Sequence, residues 1–381
     1  MEFRDFLEVM VERNASDIYF TVHSPPMYRV EGITQPVGDH AFTPDELERL
    51  AASIMSERQW REFSEELEMN LALSYSGLSR FRVNVFRQRG SVGMVVRKIN
   101  VEIPSMEELG LPPILQEIAM TKRGLILIVG ATGSGKSTTL ATMIDYRNTH
   151  APGHIITVED PIEFVHSHKQ SIVNQREVGF DTHSFHEALK NAMRQAPDVI
   201  LIGEIRDSTT MEAAITFADT GHLCLATLHS TNANQAFERI INFFPESRHA
   251  QIFLQLSLNL RAIVSQRLVR GVQGRRVPAL EILLNTPRIR ELIKKGEVDT
   301  LKEAMEQGAQ EGCQTFDMAL FDLYADGHID LDQALSNADS VNNLRLKIKV
   351  SETKEAAAAG KTNTSGLRLE GEQPFRRFGR L

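Results

Sequence analysis

Up to about Ile99 the apolar positions of this chain switch between two periods. Leu47, Leu50, Ile54 and Met55 recur at helical spacing behind Thr43-Pro44-Asp45-Glu46, where Thr43 suits the N-cap, Pro44 the first helical position and Glu46 the closing residue of a capping box. Arg80-Phe81-Arg82-Val83-Asn84-Val85-Phe86 alternates strictly, so Phe81, Val83 and Val85 share one face of a strand while Arg80, Arg82 and Asn84 share the other. A second strand, Val92 to Ile99, carries Arg97. The pattern predicts a small α+β domain over residues 1–100 with a basic sheet face. Pro104, Pro112 and Pro113 then mark residues 101–118 as a linker.

Beyond the linker the apolar residues gather into unbroken runs. Leu125 to Val129, Ile155 to Val158, Val199 to Ile202 and Leu223 to Thr227 read as strands buried on both faces. Helical patterns separate them, such as Phe185 to Gln195, which Ser184 and Glu187 cap and Pro197 ends. This alternation predicts a mostly parallel sheet with helices on both sides, over residues 119–287. Residues 288–350 read as several short helices, with Ile289, Leu292, Ile293, Met318, Phe321, Leu323 and Tyr324 as candidate core positions. Residues 351–381 lose periodicity and predict a disordered tail, whose end, Pro374 to Leu381, mixes aromatics with arginines and is a candidate docking peptide.

With 381 residues, 42% of them apolar and 24% charged, the chain can bury two ordinary cores. No apolar run approaches the roughly 20 residues of a membrane-spanning helix, and Met1-Glu2-Phe3-Arg4-Asp5 lacks the pattern of a signal peptide, so a soluble cytosolic chain is expected. Cys224 and Cys313 are the sole cysteines, which excludes a four-cysteine zinc site within one chain. A formal net charge of -8 argues against broad binding to nucleic acid, and therefore against a nucleic-acid translocase.

The candidate chemistry begins at Gly130-Ala131-Thr132-Gly133-Ser134-Gly135-Lys136-Ser137-Thr138, directly behind the run Leu125 to Val129. This is a complete P-loop. Its glycines let successive N–H groups face one phosphate chain, Lys136 reaches the β- and γ-phosphates, and the Ser137 hydroxyl is suited to Mg²⁺. Binding of ATP or GTP follows. Hydrolysis further requires carboxylates, and Asp198-Val199-Ile200-Leu201-Ile202-Gly203-Glu204 puts Glu204 at the carboxyl edge of the sheet as a Walker-B-type candidate. Glu159-Asp160-Pro161-Ile162-Glu163 follows another apolar run and reaches the same edge. His222 and His229 bracket the strand Leu223 to Thr227, either as sensors of the γ-phosphate or as ordinary polar residues; they stand too far apart to share an ion. Arg80, Arg82 and Arg97 are open to two readings, phosphate contacts across a domain or subunit boundary, or a solvated sheet face.

Taken together, these motifs resemble the secretion and type IV pilus ATPases, and within them the PilT/PilU retraction group, over nearly the whole chain to about residue 345. Ile156 to Phe164 resembles that family's Asp box, Asp198 to Arg206 its atypical Walker B and Thr220 to His229 its His box. The resemblance implies a PAS-like N-terminal domain, a RecA-like ATPase domain with a helical appendage, and a homo-hexameric ring. It further implies ATP and Mg²⁺ held between the two domains, with Glu163 as catalytic acid, Glu204 and Ser137 at the Mg²⁺, His222 and His229 as sensing residues, and Arg82 and Arg97 completing the site. The partners implied are an inner-membrane pilus platform protein and, for a PilU-like chain, a PilT-like motor. The protein would then be cytoplasmic and peripheral at the inner membrane. The missing four-cysteine motif favours retraction over assembly. Arg288-Ile289-Arg290-Glu291-Leu292-Ile293-Lys294-Lys295 replaces the A-I-R-N-L-I-R-E signature of PilT-like chains, Ala196 replaces an Asp, and the tail is longer, all features of the PilU side. They leave room for a second expectation, an ATP-binding interaction module that supports a partner motor with little hydrolysis of its own.

Overall fold

The computed structural model describes the backbone of residues 2–99 and 102–358 and the side chains as far as residue 353. It divides into two compact units, Met1–Leu268 with Arg276–Thr315, and Val269–Arg275 with Phe316–Leu381. The expected disorder of the tail and the docking peptide Pro374 to Leu381 fall outside the described residues beyond 358. Residues 351–358, however, continue the helix Val341–Ala358, which moves the start of the tail from where the sequence reading put it.

The first sheet contains β1 (Asp17–Phe20), β2 (Met27–Val30), β3 (Ile33–Pro36), β4 (Glu68–Tyr75), β5 (Ser79–Gln88) and β6 (Ser91–Ile99) in the order β3-β2-β1-β6-β5-β4. Its paired strands are antiparallel. The alternation on β5 resolves as read, with Phe81, Val83 and Val85 buried and packed in one core with Leu7 and Met10 from helix Phe3–Glu12 and Leu47 from helix Pro44–Ser53. The latter helix carries the expected capping box, with Glu46 N–H donating to Thr43 Oγ1 at 3.3 Å and Thr43 N–H to Glu46 Oε2 at 2.8 Å.

The second sheet contains β7 (Gly124–Val129), β8 (Gly153–Glu159), β9 (Ser171–Glu177), β10 (Val199–Ile202), β11 (Leu223–Leu228), β12 (Leu260–Arg270) and β13 (Arg276–Leu284) in the order β13-β12-β7-β11-β10-β8-β9. The pairs β8/β9, β8/β10, β10/β11, β11/β7 and β7/β12 are parallel. Two separate cores explain the unbroken apolar runs. Leu125, Leu127, Val129, Ile200 and Ile202 face one layer, while Ile126, Ile128, Val199, Leu201 and Leu225 face the other, so both faces of these strands are taken up by apolar side chains along most of their length. Cys224 is buried in the first layer, and burial pushes its thiol well above its ordinary range.

Two boundaries and the buried face of one helix differ from those read in the sequence. Met106, Leu111, Leu115 and Ile118 pack with Ile126 and Ile128, so most of the proline-marked stretch belongs to the second domain's core and not to a linker. Ile289, Leu292, Ile293, Leu301 and Met305 likewise join the core of β7. The helix Phe316–Ala325 buries Phe316, Ala319 and Leu320, while the expected Met318, Phe321, Leu323 and Tyr324 stay half-exposed. A helix stripe at i, i+3 and i+4 fits either set by spacing, and packing chose the one that starts at Phe316. Ala196 takes φ +50°, a conformation that Asp or Asn adopts with less strain. Among the described residues no helix is long and apolar enough to cross a membrane.

Candidate active site

Because β7, β8, β10 and β11 run parallel, their carboxyl ends share one edge, and each ends in one of the chemistry-bearing segments. Gly130 follows β7, the Glu159-to-Glu163 segment ends β8, Gly203-Glu204 ends β10, and His229 ends β11. The segments behind these four strands line a cavity of ≈ 230 Å³, with Thr132, Gly133, Lys136, Glu159, Glu163, Glu204 and His229 among its walls. Topology therefore assembles residues nearly a hundred positions apart from one repeated local event, an apolar strand running out at the same edge.

The loop after β7 leaves no room for a side chain at its first residue. A Cβ on Gly130 would collide with Ser134 Oγ and lie 2.7 Å from the Gln266 carbonyl oxygen on β12. Helix Lys136–His150 starts at the end of this loop, so its free N–H groups and the positive end of its dipole face the cavity. Lys136 Nζ donates to the carbonyls of Gly130 at 2.8 Å and Ala131 at 2.9 Å. Burial lowers the Lys136 pKa, while Glu204 and Glu163 act to hold its charge. Ser134 Oγ is buried within the loop with no hydrogen-bond partner. A cationic, N–H-lined cradle holding an orphaned hydroxyl fits the phosphates of a nucleotide.

Gly203 brings the acids to that cradle. A Cβ there would sit 3.0 Å from the Glu159 Cα and 3.2 Å from the Val158 carbonyl oxygen, so glycine lets the end of β10 lie against the end of β8 without displacing it. The turn is fixed by Gly203 N–H donating to the Val158 carbonyl at 2.7 Å and Ile205 N–H to the Thr227 carbonyl at 2.9 Å. Glu204 is gripped at both oxygens, with Arg206 Nε at 2.7 Å from Oε2 and His229 Nε2 at 3.2 Å from Oε1. Arg206 also reaches Asp160 Oδ2 at 3.2 Å. Burial, and then the positive charge of Lys136, lower the His229 pKa from its ordinary value of 6.5. His229 is thus neutral at neutral pH, and its contact with Glu204 is a hydrogen bond rather than an ion pair.

Glu159 was read only as part of an acidic cluster, and the structure singles it out. Its Oε1 accepts from Thr157 Oγ1 at 2.6 Å and Gln175 Nε2 at 3.1 Å, and burial pushes its pKa up from 4.5 to about 7. A carboxyl that binds its proton more tightly when folded makes stability fall as pH rises from about 4.5 to about 7, at a cost of about 3 kcal/mol once ionised. Glu159→Gln keeps the accepting oxygen and removes the charge. The nucleotide-free variant is expected to melt above the parent at pH 8, with the difference shrinking towards pH 5; an equal difference at both pH values would contradict this account of Glu159.

Other expected site residues are placed elsewhere. His222 precedes β11, whose far end carries His229, so about 20 Å of strand separates it from the cavity. Its Nδ1 lies 3.1 Å from Thr220 Oγ1. Arg97 is committed to Asp17, with Nε 2.9 Å from Oδ1, and neither Arg97 nor Arg82 lines the cavity of its own chain. Within one chain these three residues stand away from the cavity, because the sheet edge that gathers the acids is not the edge that carries His222 or the face that carries the arginines. Arg80 instead reaches across to the second domain, with Nη2 3.4 Å from Glu177 Oε2, and Glu177 is buried, which raises its pKa against the lowering effect of Arg80. Among the described residues no cluster of three or more His, Cys, Asp or Glu side chains is arranged to hold a metal without other ligands.

The family described as type II/IV secretion system protein matches residues 3–318 of this chain. The type IV pilus ATPase PilU of Pseudomonas aeruginosa is 53% identical over 371 residues, covering 97% of each chain. The type IV pilus retraction ATPase PilT of the same organism is 41% identical over 343 residues, covering 90% of this chain and 100% of its own length. The crystal structure of the pilus retraction motor PilT with bound ADP superposes with a TM-score of 0.85 at 41% identity, covering 91% of this chain and 99% of that one.

Proposed function

Because this chain belongs to the type II/IV secretion system protein family, and to the PilT/PilU group of type IV pilus ATPases within it, we propose that it is an ATP-hydrolysing motor for pilus retraction and twitching motility. The observation that carries this reading is the single cavity in which Lys136 and the P-loop face Glu163 and Glu204 from two other strand ends. In this reading Gly130 to Thr138 hold the phosphates through backbone N–H groups, and Lys136 contacts their outer oxygens. Ser137 and Glu204 are the residues that would hold Mg²⁺, which when bound would offset phosphate charge. Glu163 orients and deprotonates the attacking water, and neutral His229 keeps Glu204 in place through its hydrogen bond.

The first sheet domain is read as PAS-like and the second as RecA-like, the likeness to PilT supporting both. We further propose a ring of six copies, as the family resemblance implies, in which Arg82 and Arg97, which do not serve their own chain's cavity, and His222 would face a neighbouring copy. The ring would act in the cytoplasm on an inner-membrane platform protein. The higher identity to PilU than to PilT supports an accessory role beside a PilT-like motor. Light scattering on the purified protein with ATP and Mg²⁺ is expected to give six times the 42.8 kDa of one chain; a monomer under all nucleotide conditions would contradict the ring.

A further inference from the structure

Gln175 stands on β9 and reaches back to the acidic loop that precedes that strand. Its Oε1 accepts the His166 N–H at 2.8 Å, and its Nε2 donates to the Phe164 carbonyl at 2.9 Å and to Glu159 Oε1 at 3.1 Å. One orientation of the amide satisfies all three contacts. Exchanging oxygen and nitrogen would set a donor against the His166 N–H and an acceptor against both a carbonyl and a carboxyl. The parallel register that pairs Thr157 with Gln175 and Glu159 with Glu177 brings the amide within reach of the end of β8.

The pinned residues flank Glu163. Ile162, Phe164 and His166 are buried while Glu163 between them is exposed and lines the cavity, so the backbone on its C-terminal side is held at the first and third residues by one side chain. Gln175 itself does not line the cavity. The same amide also grips Glu159, which does, and so ties the end of β8 to the loop that leaves it.

We propose that Gln175 is a positioning residue for hydrolysis, which sets the place of Glu163 against Lys136 and Glu204 without touching nucleotide. The proposal rests on the reading of Glu163 as the residue that activates water. A misplacement near 1 Å at a reacting group costs about 100-fold in rate, and a loop freed from two hydrogen bonds can move by that much.

The test uses the full-length protein with four variants: Gln175→Met, Gln175→Glu, Glu163→Gln and the double variant Gln175→Met with Glu163→Gln. Gln175→Met is expected to lower kcat about 10- to 100-fold while the Kd for a fluorescent ATP analogue stays within about threefold of the parent. Gln175→Glu, of nearly identical shape, keeps the acceptor for His166 but loses the donor for Phe164, and its kcat is expected to fall in the same way. The double variant is expected to be no slower than Glu163→Gln alone, because a residue that acts through Glu163 has nothing left to position. Parental kcat in both Gln175 variants, a matching loss of nucleotide affinity, or a double variant slowed by the product of the two single effects would overturn the proposal. A parental rate in Glu163→Gln would remove the reading beneath it, whatever the Gln175 variants do.

Discussion

Lys136→Ala is expected to abolish ATP turnover and to weaken nucleotide binding at least 100-fold. The ammonium is buried at the mouth of the loop, where its charge is poorly screened, and the two carbonyl contacts at 2.8 and 2.9 Å hold it there. A charge-assisted contact made in such a site is worth about 3 kcal/mol or more in binding or rate, so its removal accounts for the expected loss. The fold should survive, because the substitution also removes the burial that lowers the Lys136 pKa and leaves only two exchangeable carbonyls behind. Titration of a fluorescent ATP analogue beside a melting curve separates the two effects. Turnover persisting in a folded Lys136→Ala variant would mean that the cavity is not the hydrolytic site.

Glu204→Gln is expected to separate binding from chemistry. Both carboxylate oxygens are engaged, by Arg206 and His229, and the amide replacement preserves the shape while removing the charge that faces Lys136. Nucleotide affinity is expected to stay within about tenfold, since the P-loop and Lys136 are untouched, while kcat falls by about 100-fold or more. The loss should also appear as a weakened dependence of rate on Mg²⁺ concentration, because Ser137 and Glu204 are the residues assigned to that ion. A Glu204→Gln variant with parental kcat and parental Mg²⁺ dependence would exclude Glu204 from the chemistry.

The resemblance read from four ordered motifs is borne out by the 53% identity to PilU along 97% of the chain. Its strength came from local rules. An apolar run that ends in glycine or an acid marks both a buried parallel strand and the edge where ligands bind, and this was legible at β7, β8 and β10. What stayed hidden depends on pairing between strands. The segment of β9 alternates weakly, with Ile172 exposed and Gln175 half-buried, so nothing in its pattern showed that it lies beside β8 and supports the Glu163 loop. Glu159 could not be told from Glu163 by spacing, yet both line the cavity and only Glu159 is half-buried and held by Thr157 and Gln175, while Glu163 is exposed. The basic strand face showed Arg97 in the sequence, and only the register of Asp17 with Arg97 across β1 and β6 showed the carboxylate beside it. The difference at the linker has a separate cause. Prolines at 104, 112 and 113 interrupt regular structure without preventing burial, and Met106 and Leu111 enter the core from irregular backbone.

The steady-state Mg²⁺-ATPase rate of the purified full-length protein, measured on the same fraction as its mass in solution and beside Glu204→Gln, tests the central claim most directly. The account predicts turnover by a six-chain species that the single substitution removes while nucleotide remains bound. A six-chain species that binds ATP with no turnover, or turnover indifferent to Glu204, would contradict it and leave the chain as a nucleotide-binding partner of another motor.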